Sequence, residues 1–311
     1  MIKFFKIFIP FGEMMFLSID LGSNTIRFAV MDKNLRIIKV YEKIIGSAKG
    51  VNKSKEISEI CIQKLTQTLK QADEIFNFKT IKHQGVATGV WRVAKNAEKI
   101  LKMIQDDFSI NFKIISGKNE AKLTSFGVKN ALNELGLSDK NCVFVDMGGA
   151  STEIANEHTQ ASFELGIITT FEKFNDIFSL KQNVKEMTKE AKSFLKGLKR
   201  DIIVLTSGVP TTMASFKLGF DFSSYDRKKI NGYELKKDDF TTLFDTFLNL
   251  DEQTSVKILG EDRKMLVLAG IALLEEILSD ENAKIIVVDD GLREGMGVAY
   301  HAKILDNFLK F

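Results

Sequence analysis

Two short stretches share one grammar, and that repeat limits what this chain can fold into. "IDLGSNT" begins at Ile19 and "VDMGGAST" begins at Val145. Each ends an apolar run in an acid, turns on glycine, and then presents a small polar pair ending in threonine. Each opens a mixed strand and helix series near the head of one half of the chain. The repeat therefore predicts two related lobes whose equivalent turns lie across one cleft. Glycine lets a backbone approach an anion closely, and successive free N–H groups form an anion-binding concavity. Gly22, Gly148, Gly149 and Ala150 form the two corners. Ser23, Thr25, Ser151 and Thr152 add hydroxyl donors, and Asn24 adds an amide. The residues after each turn alternate as a strand does, so these are hairpin loops. The Walker loop needs a lysine and a following helix, and neither turn has them. The glycine spacing of dinucleotide-binding folds is missing as well.

The remaining features favour a soluble, unstapled protein. A chain of 311 residues suggests about two domains. Lys+Arg of 44 against Asp+Glu of 41 gives formal net charge +3, too mild to imply a nucleic-acid partner. Cys61 and Cys142 are the only cysteines, which fits a reducing cytoplasm. His83, His158 and His301 match no metal spacing, so any metal is expected to be hard and oxygen-bound. Pro10 and Glu13 break the apolar stretch of residues 1–14, which argues against a signal peptide; Met15 begins the strand directly, so these residues read as an upstream extension or a start-site artefact. No stretch is expected to cross a membrane.

Along the chain, Phe16 to Asp20, Ile26 to Val30 and Leu35 to Glu42 are predicted strands of a meander. Ser54 to Phe76 has helical spacing. "IKHQGVATGVWRVAKN" reads as a strand to Ala87, a turn, and a helix carrying Arg92 and Asn96. The second half repeats the opening pattern from Cys142. Ile167 to Phe178 and a Lys-rich segment, Val184 to Arg200, are predicted helices.

Paired Asp-x-Gly loops resemble those of the acetate kinase, sugar kinase, heat-shock-protein and actin superfamily. "GVATGVWRVAKN", "IISGKNEAKLTSFGV", "VDMGGASTEI", "LTSGVPTTMASF" and "DDGLREGMGVAY" occur in order. Together they are similar to the exopolyphosphatase/guanosine pentaphosphate phosphatase (Ppx/GppA) family, in a form without the helical C-terminal region of longer members. The resemblance implies an α/β fold of two ribonuclease-H-like (actin-like) lobes, with mixed sheets flanked by helices and a cleft between them. Lobe I is expected over 15–122 and lobe II over 123–311, with the last helix returning to lobe I. Ala150 stands where a third glycine is usual, and Val209-Pro210 replaces the common Gly-Thr, which weakens any nucleotide contact there.

The implied reaction is hydrolysis of a terminal phosphoanhydride, which is mostly positioning and charge stabilisation. The substrate implied by the resemblance is polyphosphate, with guanosine pentaphosphate as the alternative and an ATP-dependent kinase as a more distant one. Glu120 matches the family's catalytic glutamate. Asp146, then Glu153, then Asp20 are expected to meet Mg²⁺ (or Mn²⁺). Arg92 would grip phosphate through its planar fork, and Asn96 would donate to phosphate or support Arg92. Arg27 reads either as a cleft residue or as part of a solvated strand face. Lys185, Lys189, Lys192, Lys196 and Lys199 form one helical stripe, either a polyphosphate rail or a solvated face. The family also implies a homodimer.

Overall fold

The computed structural model describes residues 15–309; the expectation about residues 1–14 lies outside them. The first lobe opens with β1 (Phe16–Leu21), β2 (Thr25–Met31) and β3 (Ile37–Ile44), followed by α1 (Val51–Ser54) and α2 (Glu59–Phe76). It continues through β4 (Lys82–Ala87), a 3-10 turn (Gly89–Arg92), α3 (Ala97–Phe108) and β5 (Phe112–Ile114). Helix α4 (Gly117–Glu134) then leads to β6 (Cys142–Met147), β7 (Thr152–Ala155) and β8 (Gln160–Phe163). Next come α5 (Ile167–Phe174), α6 (Ile177–Met187), α7 (Lys189–Lys196), β9 (Ile202–Thr206), α8 (Gly208–Lys217) and α9 (Arg227–Ile230). The chain closes with β10 (Tyr233–Leu235), α10 (Lys237–Leu248), α11 (Glu252–Leu259), α12 (Lys264–Leu278), β11 (Lys284–Val287) and α13 (Leu292–His301).

The two sheets run β3-β2-β1-β4-β5 and β10-β11-β9-β6-β7-β8. In each, an antiparallel meander of three strands is extended by two parallel strands beside its first member, and the second sheet adds β10 antiparallel at its edge. The repeated turns thus head two copies of one topology, as the paired motifs predict. Central β1 is buried along its whole length, which suits its continuous apolar run. Edge strand β3 stays largely exposed.

Local chemistry explains where several elements differ from their predicted bounds. Helix α2 starts at Glu59 rather than Ser54, because Lys55 takes a left-handed conformation and the Ser58 side chain accepts from the Cys61 amide. Its Cys61, Leu65, Leu69, Ala72 and Phe76 then face the core. The helix predicted over Ile167 to Phe178 stops at Phe174, where Asn175 adopts a left-handed cap. The Lys-rich segment is two helices parted at Thr188, whose hydroxyl donates to the Val184 carbonyl.

Helices α4 and α13 join the halves. The boundary expected after residue 122 falls inside α4, which runs unbroken to Glu134 and packs against β6, β7 and β8. Helix α13 crosses α4 and lies against β1 and β2, where Tyr300 stacks on Phe16 at 3.9 Å. The crossing is glycine-lined: an added Cβ at Gly295 would lie 1.7 Å from the Leu123 carbonyl oxygen, and one at Gly127 2.2 Å from that of Gly291.

Candidate active site

The Gly22 amide donates to the Thr25 carbonyl at 2.9 Å, and the Gly148 amide donates to the Ser151 carbonyl at 2.8 Å. These matched bonds close the two turns. They also correct one expectation, since the amides of Gly22 and Gly148 are engaged in the hairpins themselves. At the tips of the turns the amides of Ser23, Asn24, Gly149, Ala150 and Ser151 donate to no other described residue.

The two tips meet. An added Cβ at Gly149 would lie 2.9 Å from the Ser23 Cβ, and one at Gly89 would lie 3.6 Å from the Ala150 Cβ. Each tip is held from behind. The Ser23 hydroxyl accepts from the Val90 amide at 3.0 Å, and the Asn24 carbonyl accepts from the Ile45 and Gly46 amides. The Gly148 and Gly149 carbonyls accept from the first amides of α5, Ile167 and Ile168. Gly89, at φ 57, leaves room for Ser23, whose hydroxyl an added Cβ would approach to 2.2 Å. Thr25 begins β2 and is half-buried.

Arg92 ties Glu120 to the second loop. Its Nη1 donates to Glu120 Oε2 at 2.6 Å and to the Ile115 carbonyl at 3.3 Å, while Nη2 donates to Ser151 Oγ at 3.2 Å. Nη2 is also 4.0 Å from Glu153 Oε1. Glu120 is buried in the first turns of α4, which the Ser116 side chain caps by accepting from the Asn119 amide. Arg92 itself ends a 3-10 turn rather than riding a helix.

Three further acids surround Glu120. Burial pushes the Asp20 carboxyl up to about 7, with Arg27 pulling against it and Glu120 and Asp146 adding to the rise. Burial, reinforced by Glu120, lifts Asp146 to about 6, with Arg27 again opposing. Glu153 rises well above the ordinary carboxylate range through burial, then the charges of Glu120 and Asp146. Crowded, dehydrated carboxylates disfavour one another's charged forms, and this group suits a cation. Among the described residues no three His, Cys, Asp or Glu side chains are spaced to hold a metal ion, but Mg²⁺ typically takes only one or two carboxylates plus phosphate oxygens and water. The buried Asp20 Oδ1 has no hydrogen-bond partner, whereas Glu153 Oε1 accepts from Ser162 Oγ at 2.7 Å. The oxygen open to a metal in this donor set therefore favours Asp20 over Glu153, the reverse of their expected order.

Two sequence-based phosphate ligands are placed elsewhere. The Asn96 amide is paired with the backbone of Ile57, accepting from its N–H at 2.9 Å and donating to its carbonyl at 2.9 Å. Thr152 is fully buried and its hydroxyl donates to the Leu165 carbonyl. Arg27 sits opposite Asp20 in the β1–β2 register and 3.6 Å from Glu42, so it faces the acids rather than a solvated strand face. Within the lysine stripe, Lys192 pairs with Glu276 at 2.9 Å and Asp280 at 3.4 Å, and Lys196 with Asp280 at 3.9 Å, which engages two of its five cations. Sequence reasoning missed Ser162. It stands directly across the β7–β8 pair from Glu153, and an added Cβ at Gly117 would lie 2.5 Å from its hydroxyl oxygen. Only the hairpin register reveals it.

Known proteins share this arrangement of chain. The crystal structure of a Ppx/GppA family member from Aquifex aeolicus has 26% identity and a TM-score of 0.75, covering 94% of this chain and 99% of that one. A crystal structure of an exopolyphosphatase from Cytophaga hutchinsonii has 21% identity and a TM-score of 0.81, covering 93% of this chain and 98% of that one; at that identity the likeness concerns the fold. The profile of the Ppx/GppA phosphatase family matches residues 28–303, which takes in Arg92, Glu120, the second loop and all of α13. Matched over that span, the chain belongs to the Ppx/GppA phosphatase family.

Proposed function

We propose that this protein is an exopolyphosphatase, releasing orthophosphate from the ends of polyphosphate chains. The observation that carries the reading is the Arg92 guanidinium, bonded at once to Glu120 and to Ser151 of the second loop. A terminal phosphate cradled by the unbonded amides of Ser23, Asn24, Gly149 and Ala150 lies beside the one carboxylate held for proton transfer. In this reading Glu120 accepts a proton from water as the water oxygen bonds to the terminal phosphorus. The bond from that phosphorus to the bridging oxygen breaks, and the shortened chain leaves with the electron pair. Arg92 stabilises the charge that spreads over the equatorial oxygens. Mg²⁺ at Asp146 and Asp20, with Glu153 behind them, would supply further charge neutralisation on the phosphate oxygens.

The first turn of α8 supports the reading of polyphosphate over a nucleotide. Pro210 supplies no N–H, and Val209 is buried against Gly270 of α12, where an added Cβ would lie 2.5 Å from it. The Cytophaga hutchinsonii structure with the same fold is that of an exopolyphosphatase.

Phosphate release from long-chain polyphosphate and from guanosine pentaphosphate, run side by side with Mg²⁺, tests the assignment. Faster turnover of polyphosphate is expected, with a loss of at least about a hundredfold in Glu120→Gln and no change in its melting temperature large enough to indicate unfolding. Release from guanosine pentaphosphate alone would move the assignment to the alarmone phosphatase. Release from neither substrate would overturn both.

A further inference from the structure

Thr124 lies one helical turn beyond Glu120 on α4. Residues spaced by four share a helix face and stand within about 6 Å of each other. Thr124 is fully buried, and its hydroxyl lies beside the Asp146 carboxyl. That approach favours the charged form of Asp146 but falls short of full hydrogen-bond geometry, which the hydroxyl makes with no described residue. Threonines in helix interiors usually return their hydroxyl to the carbonyl one turn back, as Thr68, Thr211 and Thr246 do here. Thr124 forgoes that bond. A buried hydroxyl without a partner costs free energy that a valine of the same shape would not. Its position, between the general base and the acid at the end of β6, gives the hydroxyl a purpose in the reaction itself.

We propose that Thr124 is a further catalytic residue, whose hydroxyl holds the attacking water between the Glu120 carboxylate and the terminal phosphate. The inference rests on the exopolyphosphatase reading and adds a residue to it. A water there gives one proton to Glu120. Its oxygen accepts from, or its second proton is shared with, Thr124 Oγ1, which leaves a lone pair aimed at phosphorus. Glu120 supplies basicity and Thr124 supplies direction. A hydroxyl can do this without changing charge, which suits a pocket already crowded with carboxylates.

Kinetics of Thr124→Val and Thr124→Ser on polyphosphate at saturating Mg²⁺, beside Glu120→Gln and wild type, test the proposal. Valine keeps the shape and removes the hydroxyl; serine keeps the hydroxyl. The expected result is a fall in kcat of about tenfold or more for valine, with KM within about twofold of wild type and a melting temperature equal to or above it. Serine should retain most of the wild-type kcat. Wild-type kcat in the valine protein would overturn the role, and so would equal losses in both variants, which would mark a packing defect. A raised Mg²⁺ requirement with unchanged kcat would overturn it too, assigning the hydroxyl to water around the metal. Should valine prevent folding, Thr124→Ser against Thr124→Ala decides the matter, since these differ by the hydroxyl alone. An inactive wild type would instead sink the exopolyphosphatase reading, and a Glu120-dependent enzyme indifferent to Thr124 would sink only this one.

Discussion

Asp20 and Asp146 end the first strands of their lobes, and each is held above the ordinary aspartate range chiefly by burial. An unfolded aspartate titrates near about 4, so between that pH and the folded values of about 7 and about 6 the native protein binds more protons. Stability then falls as pH rises. The contribution is fully present below the unfolded value and is lost as pH climbs through the folded ones. Thermal melts in EDTA should therefore show the melting temperature dropping from pH 5 to pH 8. Asp20→Asn should remove the upper part of that slope and melt no lower than wild type at pH 8, while phosphate release falls. A melting temperature that rises with pH in EDTA would contradict the burial of these acids. Residues of this kind were legible in sequence because the repeat singles them out twice. Glu120 and Arg92 were legible through their motifs. Asn96 and Thr152 were misread because the partner that engages each, the Ile57 backbone or the Leu165 carbonyl, belongs to a segment that spacing cannot bring near. Thr124 and Ser162 were invisible for the same reason.

At the scale of elements, the hairpins were legible because alternation after a glycine turn is a local signal. The helix holding Arg92 was not, since a 3-10 turn and a short helix share the same apolar spacing over four residues. The lysine stripe shows a related limit. Periodicity is blind to Thr188, and charge counting is blind to Glu276 and Asp280 on and after α12. The α4–α13 crossing lies further from sequence reading still. Gly127 and Gly295 sit in helix interiors, where glycine is disfavoured, and the fold shows why they stand there: each lets one helix backbone touch the other. Gly295→Ala should cost about 2–3 kcal/mol in urea denaturation, despite alanine's higher helix propensity. It should also lower kcat, because pushing α13 off Leu123 displaces the helix that carries Glu120. An alanine protein of wild-type stability would mean that the helices separate freely.

For the whole molecule, the site belongs to neither lobe alone. The first loop and Arg92 come from one half, the second loop from the other, and Glu120 from the helix joining them. Catalysis then depends on how firmly the halves are held together. Beyond α4 and α13, a second connection spans the cleft: the Gly50 amide donates to Glu172 Oε1 at 2.8 Å, and Asn52 Nδ2 donates to the Thr169 carbonyl at 3.2 Å. The same segment holds the first loop, through the Ala48 amide on the Ser23 carbonyl, while α5 holds the second through Ile168. Hydrogen bonds of this kind each contribute about 0.5–1.5 kcal/mol, small against global stability but comparable with the cost of keeping two lobes closed. Glu172→Ala should therefore leave the melting temperature within a few degrees of wild type and raise KM for polyphosphate by about two- to tenfold. The value of kcat should change little, because a substrate once bound supplies its own bridge between the tips of the two turns. Should KM stay at the wild-type value, the two helices alone set the spacing of the lobes, and the segment from Gly46 to Ser54 serves only to brace the first loop.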